Sequence, residues 1–164
     1  RNRVKVIILF DIGGSMDSYI EACERLFAAA KNEFKTLEFF YFHNCLYDYV
    51  WTDNARRAAS AMPTMELLNK YASDYRIIFV GDAAMSPYEL LSRGGSVEYM
   101  NDEPGQVWLK RITAHFDKVA WLNPEHQGYW QYTQTIGLIR GIMEGHMYPM
   151  TLAGIEEMTK YMAR

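Results

Sequence analysis

The sequence predicts an α/β fold built on a mostly parallel β-sheet with helices on its faces. Strand patterns and helix patterns alternate along the chain, an order that is typical of parallel sheets. The strand patterns Val4–Phe10 and Arg76–Asp82 are almost continuous apolar runs, as expected for strands that are buried on both faces. With 164 residues, of which 49% are hydrophobic, the chain can build one core, so we expect a single domain over residues 1–164. Because the chain begins at Arg1 rather than at a methionine, we expect this domain to be part of a longer protein.

The first strand, Val4–Phe10, is followed by the patterns of an amphipathic helix and a hairpin. Apolar residues recur at helical spacing over Met16–Phe34, and residues 15–18 offer several side chains that suit a helix start. Leu37–His43 and Tyr47–Thr52 have the aromatic and alternating patterns of strands. Since only three residues separate these two strands, we expect an antiparallel hairpin whose second strand forms an edge of the sheet.

The second half of the chain continues the alternation of helices and strands. A short helix is predicted at Pro63–Leu68, with Thr64 near its cap, before the buried strand Arg76–Asp82. Ser86–Glu89 then has the N-cap, the early proline and the acidic first turn that open a helix. The remaining predicted elements are a loop at Gly94–Ser96, a helix at Val107–Phe116, a strand at Lys118–Leu122, a helix at Ile136–Ile142, a short strand at Tyr148–Met150 and a closing helix at Thr151–Ala163.

The composition disfavours nucleic acid and membrane partners. A net charge of -3 gives no general attraction for nucleic acid phosphates or anionic membranes. No apolar stretch approaches the ~20 residues that span a bilayer, and no signal peptide opens the chain, so we expect a cytoplasmic protein. Cys23 and Cys45 lack the spacing of paired metal ligands, and we expect both to be reduced thiols.

Acidic side chains end two of the buried strands. Asp11, with Ser15 close behind it, follows the first strand, and Asp82 ends the strand that begins at Arg76. If these strands are neighbours and the hairpin extends the sheet on the other side, the strand order reverses between them and both acids face one crevice. Mg²⁺ prefers oxygen ligands from carboxylates, hydroxyls and water. Asp11, Ser15, Thr64 and Asp82 form such a set of ligands.

These residues resemble the metal-ion-dependent adhesion site of von Willebrand factor A (VWA) domains. That family has Asp-x-Ser-x-Ser at the end of the first strand, a threonine in a later loop and an aspartate that closes the fourth strand. The residues that match this pattern are Asp11, Ser15, Thr64 and Asp82. Three stretches are more narrowly similar to bacterial CoxE-like VWA proteins, namely Asp11–Met16, Phe42–Asn44 and Val80–Leu90. The resemblance covers nearly the whole chain.

The resemblance implies a three-layer, doubly wound, Rossmann-like sheet with one antiparallel edge strand, and a non-catalytic protein-binding module. It implies Mg²⁺ or Mn²⁺ as the cofactor, held by the four matching residues, and a MoxR-type AAA+ ATPase as a partner. We expect an acidic residue of the protein partner to complete the metal coordination. The residues that we expect to contact the partner are Gly13, His43, Met85, Ser86 and Tyr88.

Gly13 departs from the family pattern, which has a serine at this position. A serine hydroxyl would be a metal ligand, whereas glycine offers none and leaves room for water. We therefore expect metal binding to be weak, and a degenerate site that binds partners without metal is the alternative. In that alternative, Ser15, Thr64 and Asp82 cap helices, and Asp11 bonds loop amides.

A second alternative is an Mg²⁺-dependent phosphohydrolase that uses Asp11 as a nucleophile or metal ligand. Such enzymes also place an aspartate at the end of the first strand of an α/β sheet. They need a further carboxylate nearby and a lysine or arginine for the phosphoryl group. Asp11–Met16 contains neither, and Asp17 is the only acid close by, so we favour the binding module.

Overall fold

The computed structural model describes residues 4–30 and 34–164, which form a seven-stranded sheet with helices on both faces. The strands are β1 (Lys5–Asp11), β2 (Thr36–Phe42), β3 (Tyr49–Trp51), β4 (Ala61–Pro63), β5 (Arg76–Val80), β6 (Lys118–Asn123) and β7 (Met147–Pro149). The helices are α1 (Asp17–Ala30), α2 (Met65–Lys70), α3 (Pro87–Leu91), α4 (Gly105–His115), α5 (Gln134–Ile142) and α6 (Leu152–Ala163). The predicted α/β fold is confirmed.

The strands follow the order β4-β3-β2-β1-β5-β6-β7 across the sheet. In the run β2-β1-β5-β6-β7 each strand is parallel to its neighbours. Strand β3 is antiparallel to both β2 and β4. The predicted hairpin is therefore present, with Tyr41 opposite Trp51. The fold is mostly parallel and Rossmann-like, as expected. Its antiparallel strand is not the outermost one, however, because β4 lies beyond it.

The sequence pattern missed β4 because Pro63 suggested the start of a helix. Proline is favoured in the first turn of helices, but it also fits an edge strand, where one side has no partner to which an N–H must donate. Pro63 ends β4, Thr64 follows it, and α2 begins only at Met65. The sequence pattern therefore assigned Pro63 to the helix, whereas in the structure it ends the short edge strand.

Alternating side chains of β1 pack on opposite sides of the sheet. Ile7 and Leu9 belong to the core that α2 to α5 cover, and Ile8 and Phe10 belong to the core that α1 and α6 cover. All four side chains are fully buried, in agreement with the continuous apolar run in the sequence. The sheet is therefore the middle of three layers.

The helix boundaries differ from the predictions by a few residues. A short 3₁₀ turn at Gly14–Met16 precedes α1, which begins at Asp17. The predicted end of this helix includes residues 31–33, which lie outside the described residues, and Phe34 is not helical. Among residues 4–30 and 34–164, no helix is long and apolar enough to cross a bilayer.

The strand order reverses next to β1. The chain leaves β1 through α1 to reach β2 on one side, and it later returns to place β5 on the other side. The loops that leave β1 and β5 therefore diverge to opposite sides and open a crevice at the carboxyl edge of the sheet. In the register of these strands Phe10 lies beside Val80. The next residues of the two chain segments, Asp11 and Gly81, therefore lie side by side where the pairing ends.

Trp121 of β6 connects the core to this crevice. Its ring stacks on Phe79 with the centroids 4.9 Å apart, and its Nε1 donates to the Gly81 carbonyl at 2.8 Å.

We expect Trp121→Phe to lower the free energy of unfolding by about 1–3 kcal/mol, because the carbonyl loses its donor and the smaller ring leaves a cavity. Chemical denaturation measures this loss. Tyr129→Phe, at a tyrosine that is 59% exposed, is the control and should change stability by less than about 0.5 kcal/mol. Equal stabilities of the wild type and Trp121→Phe would contradict this role.

Candidate functional site

Asp11 ends β1 at the carboxyl edge of the sheet and is 1% exposed. Its Oδ1 accepts two backbone hydrogen bonds, from Gly13 N at 2.7 Å and from Asn44 N at 2.9 Å. Gly13 lies in the loop that follows β1, and Asn44 lies in the loop that follows β2. The carboxylate therefore ties together two loops at neighbouring strand ends, which is one role expected of a purely structural aspartate.

Burial raises the pKa of Asp11 from 3.8 to about 7. The two backbone N–H groups lower this pKa, while the nearby carboxylates of Asp82 and Glu89 raise it further. Asp82 and Glu89 are themselves buried. In the described part of the chain, none of the three carboxylates forms an ion pair with a lysine, arginine or histidine. Buried charges are ordinarily paired with opposite charges or with metal ions, so this cluster of acids needs an explanation.

The loop after β5 brings Asp82 close to Asp11. Gly81 packs directly against Asp11, since a β-carbon on Gly81 would stand 2.9 Å from Asp11 Cβ. Asp82 Oδ1 accepts a hydrogen bond from Ala84 N at 3.1 Å, and the Asp82 carbonyl accepts one from Asn123 Nδ2 at 2.9 Å. The predicted reversal of strand order between the strands that carry the two acids is confirmed.

Thr135, at the start of α5, holds the same loop from the other side. Its hydroxyl donates to the Ala83 carbonyl at 2.8 Å and accepts from Met85 N at 3.1 Å. Ala83 has φ +57°, a left-handed conformation that alanine rarely adopts. The conformation of the loop is therefore imposed by buried contacts with the rest of the fold.

Asn44 and Glu89 belong to the site, although no sequence pattern indicated that they lie together. Asn44 Nδ2 donates to Glu89 Oε1 at 2.9 Å, and Ser86 N donates to Glu89 Oε2 at 3.0 Å. Local signals existed for each residue: Ser86 and Glu89 form a capping box, and asparagine tolerates the φ of +61° that Asn44 adopts. Neither signal indicates that the two side chains meet.

The serine that the VWA pattern has at position 13 would require the Asn44 carboxamide to move. A β-carbon on Gly13 would stand 2.0 Å from Asn44 Oδ1 and 3.1 Å from Asp11 Oδ1. The expectation that Gly13 leaves room for water is therefore wrong, because the Asn44 carboxamide fills that room.

Ser15 and Thr64 occupy different environments. Ser15 is exposed in the 3₁₀ turn Gly14–Met16 that follows β1. Thr64 is fully buried between β4 and α2, and its hydroxyl donates to the Tyr47 carbonyl instead of capping α2. Thr64 N also donates to the carbonyl of Asp48 at 2.7 Å, so Thr64 is anchored to the loop between β2 and β3.

The residues predicted to contact a partner lie in the loops after β1, β2 and β5, except Tyr88, which lies in the first turn of α3. His43, at the end of β2, is half-buried, and its Nδ1 lies 3.7 Å from Glu98 Oε1. Ser86 caps α3 by accepting a hydrogen bond from Tyr88 N at 3.4 Å. Tyr88 is 72% exposed and offers the largest accessible apolar surface of this set.

The atoms at the crevice that could bind a metal are oxygens, which hard divalent cations prefer as ligands. Within residues 4–30 and 34–164, no three His, Cys, Asp or Glu side chains are arranged to hold a metal ion between them. A cation at this edge would therefore need hydroxyl or carboxamide oxygens in addition to carboxylates.

No family model, curated protein or solved structure matches the chain.

The raised pKa of Asp11 predicts how stability depends on pH in the presence of EDTA. The folded state holds the Asp11 proton up to about pH 7, whereas the unfolded state loses it near pH 3.8, so this group destabilises the fold increasingly as pH rises between the two values. We expect the stability of Asp11→Asn minus that of the wild type to grow by about 2–3 kcal/mol from pH 5 to pH 8.

Urea denaturation at the two pH values measures this difference. Asp102→Asn is the matched control, because the Asp102 side chain is 81% exposed. Its stability relative to the wild type should stay nearly constant with pH. A pH-independent difference for Asp11→Asn would contradict the buried, proton-holding state of Asp11.

Proposed function

We propose that the chain is a non-catalytic protein-binding domain that holds Mg²⁺ or Mn²⁺ at the carboxyl edge of its sheet. The observation that carries this proposal is the group of buried carboxylates at the strand reversal, Asp11, Asp82 and Glu89, without an ion pair in the described residues. A divalent cation would balance this charge and lower the pKa of Asp11.

The ligands in this proposal are the oxygens that the resemblance to VWA domains indicates. Asp11, Ser15 and Thr64 hold the cation directly or through water, and Asp82 acts mainly through water. When bound, the cation supplies a Lewis-acidic position that accepts one more oxygen. Both Asp11 Oδ1 hydrogen bonds come from the backbone, so the second carboxylate oxygen, Oδ2, is the one we assign to the cation.

The partner in this proposal is a protein that brings an acidic side chain to the cation. His43, Met85, Ser86 and Tyr88 form the surface around it in this proposal, whereas Gly13, which we expected to contact the partner, is buried. Resemblance alone supports a MoxR-type AAA+ ATPase as the partner. The cytoplasm as the compartment is also part of the proposal, and it rests on the sequence patterns and not on the resemblance. The degenerate alternative uses the same surface without a cation.

Titration calorimetry with Mn²⁺ tests the proposal. We expect saturable binding to the wild type, loss of binding in Asp11→Ala, and unchanged binding in Asp102→Ala, whose acid is exposed. Binding should weaken below about pH 7, because the cation must displace the Asp11 proton. Identical heats for the wild type and Asp11→Ala would contradict the metal site.

Two further measurements separate the alternatives. Recovery of a specific partner that survives EDTA would favour the degenerate site. Turnover of a phosphomonoester with Mg²⁺ that Asp11→Asn abolishes would overturn the non-catalytic assignment.

A further inference from the structure

Gly13 and Asn44 share one small space beside Asp11. The point at which a β-carbon of residue 13 would stand lies 2.0 Å from Asn44 Oδ1. Asn44 Oδ1 therefore occupies the position where a longer side chain at residue 13 would begin. The same point lies 3.1 Å from Asp11 Oδ1, so both oxygens are close neighbours of residue 13.

The hydrogen bonds around Asn44 determine which end of its carboxamide faces Asp11. Glu89 is an acceptor, so its Oε1 takes the Asn44 NH₂ group at 2.9 Å and leaves Oδ1 on the side of Gly13. Glu89 is in turn fixed by Ser86 N at 3.0 Å and is 4% exposed. Asn44 is also held through its backbone, since Asn44 N donates to Asp11 Oδ1 at 2.9 Å.

We propose that Asn44 supplies the oxygen ligand that position 13 lacks, and that Glu89 is the positioning residue that orients it. This inference rests on the proposed cation site. Carboxamide oxygens bind hard cations as hydroxyls do, so an oxygen from the loop after β2 substitutes for one from the loop after β1. Position 13 is then a glycine because any side chain there would displace the Asn44 oxygen. The glycine is part of an intact site rather than a sign of its loss.

The test moves the oxygen between the two positions and measures Mn²⁺ affinity by calorimetry. Asn44→Gly keeps the backbone donor to Asp11 and readily adopts the φ of +61°, but it removes the oxygen. We expect its Mn²⁺ affinity to fall by about 10-fold to 100-fold. Gly13→Ser crowds Asn44 and should lower both affinity and stability. The double variant Gly13→Ser/Asn44→Gly puts a hydroxyl near the vacated space and should bind Mn²⁺ within about threefold of the wild type.

Glu144→Gly is the matched control, because Glu144 is exposed, has φ +53° and lies in the turn after α5. It should bind Mn²⁺ as the wild type does. A wild type that binds no Mn²⁺ would overturn both the cation site and this inference. If the wild type binds Mn²⁺ and Asn44→Gly binds it equally well, only the role of Asn44 is wrong. A double variant as weak as Asn44→Gly would also contradict it, since a serine at position 13 rescues a missing ligand but not a missing structural contact.

Discussion

The burial of the Asp11 carboxylate at the end of β1 is the constraint on which the rest of the crevice depends. β1 lies between two strands, so Asp11 at its end is enclosed by the core and by the loops that follow β1 and β2. A carboxylate in such a place requires hydrogen-bond donors, and the chain provides them from the backbone of Gly13 and Asn44. Backbone donors reach one oxygen only if both loops turn tightly over the strand ends. The left-handed Asn44 and the missing side chains of Gly13 and Gly81 follow from that requirement.

Residues that carry no charge hold these loops in place. Thr135 and Asn123 bond carbonyl groups of the loop after β5, and both are buried at the ends of regular elements. They stabilise a loop that contains the left-handed Ala83 and bring Asp82 close enough to Asp11 to raise its pKa. Strained loops that rigid elements hold in one conformation are common at functional sites, where they fix the positions of ligands in advance.

The sequence predicted the parts of this arrangement that depend on local patterns. The apolar runs and their acidic ends placed Asp11 and Asp82 at the ends of neighbouring strands, because strand burial and strand ends are visible in the residues themselves. The contact between Asn44 and Glu89 joins residues 45 positions apart, and nothing in either local sequence encodes it. The three-residue strand β4 was too short for an alternating pattern, and its proline also suits a helix start. The long-range polar contacts of the site were thus the part that required the structure.

The charge of the crevice links the cation to the nature of the partner. Without a cation, the buried acids of the crevice would repel an approaching carboxylate, most strongly above about pH 7, where Asp11 loses its proton. With a divalent cation bound, the same site attracts a carboxylate and offers it a coordination position. An acidic partner therefore requires the cation. A site that worked without metal would favour a partner with a basic side chain instead, since a positive group would be attracted to the acids of the crevice. The sign of the charge on the partner's contact residue thus distinguishes a metal-dependent site from a degenerate one.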